Sequence, residues 1–126
     1  MRKNTSTNSL NKQQLEASCG MAHFISAVGG RWKLSILGFL LDGGQLRFSD
    51  LRRKLNGISE KVLDAKLKDL QNDGLVIRIA YPEVPPRVEY RLTEKGQSLR
   101  EILMAMSEWG SMVATGQSDQ LFNHGT

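Results

Sequence analysis

The chain has a single cysteine in 126 residues, Cys19, and only two histidines, His23 and His124. One thiol cannot close an intramolecular disulfide, which points to a reducing cytoplasm as the compartment. The candidate metal ligands are scattered, so no metal site is expected. No CxxC, HExxH, GxSxG or glycine-rich phosphate loop occurs, and Gly29-Gly30 lacks the preceding strand that a nucleotide fingerprint requires. Catalysis and a bound cofactor are therefore not expected. No apolar run approaches the length that crosses a bilayer, and the polar stretch Met1 to Asn11 has no signal-peptide core. A membrane partner is not expected either. Even the charge excess is small, a formal +4, which permits a polyanionic partner without demanding one.

What is present reads as one domain with a real core. Residues 1–12 are expected to form a flexible arm, 13–116 the folded unit and 117–126 a flexible tail. Met21, Phe24, Ile25 and Val28 recur at helical spacing until Gly29-Gly30 stops them. A second helix runs from Trp32 to Leu41, with Ile36, Leu37, Leu40 and Leu41 inward, and breaks at Asp42-Gly43-Gly44. Ser49 is the expected cap of a short third helix that buries Leu51 and Leu55 and exposes Arg52, Arg53 and Lys54. After an Asn56-Gly57 turn, Ser59 caps a fourth helix that closes at Asp73-Gly74. The period then becomes two: Val76, Arg78 and Ala80 oppose Ile77, Ile79 and Tyr81, and Val88, Tyr90 and Leu92 alternate with Glu89 and Arg91. All three prolines lie between these runs, in Pro82-Glu83-Val84-Pro85-Pro86, a stiff connection that cannot continue a strand. Thr93 is the expected cap of one long final helix over about 94–115.

Helix, helix, short helix, helix, hairpin, helix is an α+β, mainly α order, and its middle part is a winged helix-turn-helix arrangement. The placement of charge gives that order a meaning. At 100° per residue, Leu63, Leu67 and Leu70 of the fourth helix form the core stripe, and Lys61, Ala65, Lys68 and Asn72 lie opposite. A helix laid in a major groove needs a small residue at the centre of its face, flanked by cations and an amide. Ser59 and the free N–H groups of its first turn can hold a phosphate. Ser49, Arg52 and Arg53 on the preceding helix join the candidate set, as does Arg87, beside the hairpin tip and placed to enter a minor groove. Asp64 and Asp69 sit at the flanks and oppose a uniformly sticky surface.

"GGRWKLSIL", "LRFSDLRRKLNGISEKVLDAKLKDLQNDGLV" and "YPEVPPRVEYRLTEKG" resemble the successive signatures of the HxlR-type bacterial regulators, relatives of the MarR group. The resemblance covers roughly Cys19 to Trp109. It implies a cytoplasmic homodimer whose winged helices bind a palindromic operator in double-stranded DNA, as a transcriptional repressor. It assigns residues 59–72 as the recognition helix and 81–87 as the wing tip, within a hairpin spanning about 76–92. It also implies that Trp32 anchors the core while Arg31 and Lys33 lie near the DNA backbone.

Two expectations concern assembly and control. The final helix carries Leu99, Ile102, Leu103, Met106, Trp109 and Val113 on one broad apolar face, with Met104 and Met112 outside it, Met112 being counted with the dimer interface. A small domain does not cover such a face alone, so the terminal helices should dimerise, with Leu10 and Leu15 packing on the partner. Several HxlR-type regulators sense electrophiles, quinones or hypochlorite through one cysteine near the position of Cys19. That implies redox sensing here through an intermolecular disulfide or a small-thiol adduct, although Gly20 follows where those proteins commonly have proline. Two other readings stay open: a winged helix that binds protein alone, and a regulator controlled by a non-covalent ligand.

Overall fold

The computed structural model describes residues 20–116; Leu10, Leu15, Cys19 and His124 lie outside them. Helices α1 (Gly20–Val28) and α2 (Arg31–Gly43) meet at 86° across Gly29-Gly30. Next come β1 (Gln45–Arg47), α3 (Phe48–Lys54), α4 (Glu60–Asn72), β2 (Val76–Tyr81), β3 (Arg87–Leu92), α5 (Glu94–Gln97) and α6 (Arg100–Ala114). Among the described residues no single helix is long and apolar enough to cross a membrane.

The core is built around α2, which packs on α3, α4, β1, β3 and α6. Ile36, Leu37 and Leu40 of α2 are fully buried with Leu51, Leu63, Leu67 and Leu70, and Val76, Tyr90 and Leu92 cover them from the sheet. Leu41, expected inward, is only half-buried at the margin of this cluster. The start of α4 is fixed by Ser59, whose hydroxyl accepts from the Val62 N–H at 3.1 Å. Its end is fixed by Gly74 at φ +75°, which lets the Leu75 N–H reach back to the Leu70 carbonyl at 2.9 Å.

The alternating runs pair as an antiparallel hairpin in the expected register, Val76 opposite Leu92 and Arg78 opposite Tyr90. Three expectations are corrected. The sheet has a third strand, β1, paired antiparallel to β3 with Leu46 opposite Tyr90. Ser49 does not cap α3: Arg47 stands at the cap, and the Asp50 carboxylate reaches back to its N–H at 3.1 Å. Nor is the last helix continuous. Thr93 caps only α5, accepting from the Gly96 N–H at 3.0 Å, and Ser98 and Leu99 tighten the chain before α6 begins.

Gly96 explains why that segment sits where it does, because a Cβ there would run into the Leu75 carbonyl and Leu92. Thr93 and Lys95 complete the seam, donating to the carbonyls of Gly74 at 2.6 Å and Asp73 at 2.8 Å. The end of α4 is thereby tied to the residues that follow the wing. Gly96→Ala should be destabilising, although alanine is the better helix former, and Leu67→Ala should cost about 2–5 kcal/mol by leaving a core cavity. Chemical denaturation of both variants checks this; a Gly96→Ala protein as stable as the parent would mean the seam yields freely.

Candidate nucleic-acid interface

With Leu63, Leu67 and Leu70 buried, α4 turns Lys61, Ala65, Lys68 and Asn72 outward, and all four are exposed. The expected reading face therefore exists as a surface. Its charges are not all free. Lys68 pairs with Asp64 at 3.0 Å, one turn away, while Lys61 has no carboxylate partner among the described residues. Asp69, on the other flank, faces Lys33 of α2 at 3.8 Å.

Helix α3 lies just ahead, separated from α4 by residues 55–59. Leu51 and Leu55 anchor it, so Arg52, Arg53 and Lys54 point outward. Arg52 crosses the turn to Glu60 at 3.2 Å and so joins the two helices of the motif. Arg53 pairs with Asp50 at 2.8 Å. The N–H of Arg47, helped by the Arg53 guanidinium, holds the Asp50 carboxyl below the usual carboxylate range.

At the wing, residues 82–86 are exposed and Val84 is bare to solvent. Arg87 does not project from the tip. Its guanidinium stacks 4.0 Å over the Tyr81 ring and meets Glu83 at 3.0 Å, and its Nε lies 3.2 Å from Glu89 without a hydrogen bond. Glu89 also accepts from Gln45 at 2.8 Å, and Gln45 donates to the Tyr81 hydroxyl at 2.9 Å. This polar cluster ties β1, β2 and β3 together at the wing's base. Between it and the start of α3 opens a cleft of about 470 Å³ lined by Arg47, Ser49, Pro85, Pro86 and Arg87, so Ser49 and Arg87 do share a wall.

Trp32 packs partly buried against the core, as expected of an anchor. Its flanking cations are engaged within the fold. Arg31 is exposed and stacks 4.2 Å over the Trp32 ring. Lys33 is only 12% exposed and holds Asp69 of α4. On α6, Leu103 is buried and Leu99 packs against the same core, so these two belong to the domain's own interior. They lie four residues apart, on the side of the helix that meets α2. Ile102, Met104, Met106, Trp109 and Val113 remain exposed, Met112 is half-buried, and Met21 and Ile25 of α1 add to the bare apolar surface.

Sequence reasoning missed Arg47, Gln45 and Glu89 as parts of this surface, and it placed Tyr81 in the wing without its contacts to Gln45 and Arg87. Asp50 three residues after Arg47 is the one signal that could have marked the helix start. Among the described residues no group of histidine, cysteine, aspartate and glutamate side chains could hold a metal ion.

A capped outward-facing helix, a preceding short helix across a tight turn and a β-hairpin wing define a winged helix-turn-helix DNA-binding fold. Residues 27–118 match the HxlR-like helix-turn-helix family, and the chain belongs to that family. The uncharacterized HTH-type transcriptional regulator YtfH of Escherichia coli (strain K12) is 46% identical over 91 residues, covering 72% of this chain and 71% of that one. The oxidized form of the redox regulator HypR superposes with a TM-score of 0.70 at 39% identity, covering 74% of this chain and 95% of HypR. Reduced YodB from B. subtilis gives 0.65 at 35% identity, with 75% of this chain and 91% of YodB covered, and a diamide-treated form of YodB also matches. These relatives are transcriptional regulators rather than enzymes, and the chain is a regulator of that type.

Asp50 provides a local test. Its carboxylate is held below its ordinary range, so the stability it contributes is present above that range and lost as pH falls through the folded-state value. Asp50→Asn should cost about 0.5–1 kcal/mol at pH 7 through the weakened cap. The gap between variant and parent should close below about pH 4. Melting curves at pH 7 and pH 3 check it; an equal gap at both would show that the charge is irrelevant.

Proposed function

We propose that the chain is a homodimeric repressor acting in the cytoplasm, with a palindromic operator as its binding site. The observation that carries this reading is the face of α4. Lys61, Ala65, Lys68 and Asn72 are outward on a helix pinned at both ends, immediately after a cationic α3. Ala65 lets the backbone approach base edges, Lys61 and Lys68 reach guanine edges or phosphate, and Asn72 suits adenine. Ser59, Ser49, Arg52 and Arg53 position the protein on phosphates. Arg31, stacked on Trp32, is a weaker member of this set. Arg87 we assign to stiffening the wing, because two carboxylates and a tyrosine ring already hold it. Dimerisation is supported by the exposed apolar side chains of α1 and α6, which a monomer would leave in water.

Selection of bound duplexes from a random pool tests the reading. Two inverted half-sites centred about 34 Å apart, one DNA turn, are expected. Lys61→Ala should then lower operator affinity by about 1–3 kcal/mol and relax the preference at one position, whereas Arg53→Ala should weaken all sequences alike and flatten the salt dependence. Equal, sequence-blind losses from both would place the reading face elsewhere. A salt slope near zero would favour a protein-binding module.

Control by oxidation is the second part of the proposal, and its support is the likeness to HypR and YodB together with Cys19. Oxidation would join Cys19 to the partner's Cys19 or to a small thiol. Diamide should lower operator affinity in the parent and leave Cys19→Ser unaffected, read by gel shift and reversed by dithiothreitol. The same response in both proteins, or in neither, would point to a non-covalent ligand.

A further inference from the structure

The surface that should attract DNA carries its own counterions. From Phe48 to Asn72 there are six Lys and Arg residues but four Asp and Glu residues. Arg52 is held by Glu60, Arg53 by Asp50 and Lys68 by Asp64. Of these carboxylates, Asp50 has a local duty, since it caps α3. Asp69 has one too, since it meets the half-buried Lys33 and ties α4 to α2. Glu60 and Asp64 differ. Glu60 is exposed and Asp64 is half-exposed; Glu60 opens α4 and meets Arg52 of α3 across the turn, Asp64 meets Lys68 one turn along α4, and among the described residues neither makes a hydrogen bond to the backbone. Each occupies a cation on the side assigned to DNA.

We infer that Glu60 and Asp64 are specificity-determining residues that suppress binding to non-cognate DNA, an inference that rests on the DNA-reading assignment above. The physical argument is one of exchange. Non-specific affinity comes from cations that replace condensed counterions along the phosphate backbone. A lysine or arginine that already has a carboxylate beside it releases fewer counterions and brings a negative charge towards the phosphates. Exposed pairs of this kind hold weakly, so they yield when a better-fitted set of contacts is available. Cognate DNA supplies base-edge hydrogen bonds as well as phosphates, and random DNA supplies phosphates alone. On random DNA each carboxylate stays beside its cation and faces the phosphates, whereas on cognate DNA the fitted contacts draw the cation away and let the carboxylate turn to solvent, so the penalty falls mainly on the non-cognate complex, which is discrimination by a repulsive element.

The test measures binding of the full chain by fluorescence anisotropy to a random-sequence duplex and to the duplex selected by the parent, across a salt series. The proteins are the parent, Glu60→Gln, Asp64→Asn, their double variant and Glu101→Gln, which makes the same charge change on exposed α6. Each single variant at the interface should tighten random-duplex binding about three- to tenfold and steepen the salt dependence by about one counterion. Affinity for the selected duplex should rise less, so that the ratio between the two duplexes shrinks, most of all in the double variant. Random-duplex binding unchanged in the interface variants, or raised as much by Glu101→Gln, overturns the inference alone. A parent that binds no duplex at low salt overturns the DNA-reading assignment and this inference with it. Melting curves confirm that the substituted proteins remain folded.

Discussion

The stripe of Leu63, Leu67 and Leu70 on α4, packed against Ile36, Leu37 and Leu40 of α2, is the contact on which the other features depend. Burial of three leucines at helical spacing leaves one rotation for α4 about its axis, since turning the helix would bring Asp64 or Asp69 into the core. The outward direction of Lys61, Ala65, Lys68 and Asn72 follows from that single choice. None of these four side chains has to make a contact of its own to face solvent. The ends of α4 are equally fixed, by the Ser59 cap and by the Gly74 turn with its Thr93 and Lys95 bonds. An outward face built this way is preorganised, and little ordering would remain for a binding event.

Much of this was legible because it is local. The leucine spacing, the Ser59 cap, the Asp73-Gly74 stop and the two alternating runs are each written in fewer than fifteen consecutive residues, and the structure keeps all of them. What could not be read depends on neighbours distant in the chain. β1 is three residues long, too short for a period of two to register, and it is a strand only because β3 lies beside it. The seat of α5 depends on Gly96 meeting the Leu75 carbonyl, a contact across twenty-one positions. The cations of the site show the same division. Their outward placement followed from helical geometry, as did the pairs Arg53 with Asp50 and Lys68 with Asp64 within single helices, whereas the partners on other elements did not. Arg52 with Glu60, Lys33 with Asp69 and Glu89 with Gln45 join different elements and require the fold to be known.

Trp32 illustrates how an eye-catching motif divides on inspection. An aromatic between two cations at a helix start invites an electrostatic reading of all three residues. In the fold, Trp32 fills a partly buried position, Arg31 lies over its ring, and Lys33 turns inward to a carboxylate on the recognition helix. Within the fold the motif supports α4. Arg87 likewise is held by its neighbours as part of the wing's frame.

The position of α2 has a further consequence. It carries α4 on one side and α6 on another, while β3 brings the wing to it as well. The outward face of α4 and the apolar face of α6 are thus attached to one helix, with core side chains between them. Close-packed interiors transmit displacement rather than absorb it, because a rigid core has no slack in which a shift can dissipate. A partner seated on α6 and a duplex seated on α4 would consequently act on the same rigid unit, and any difference in how a partner sits must alter where the recognition helix points. At the N-terminal side Gly30, at φ +94°, turns the chain between α1 and α2, and Val28, buried in the core with Phe24 and Ala27 packed beside it, fixes the end of α1 to the same unit.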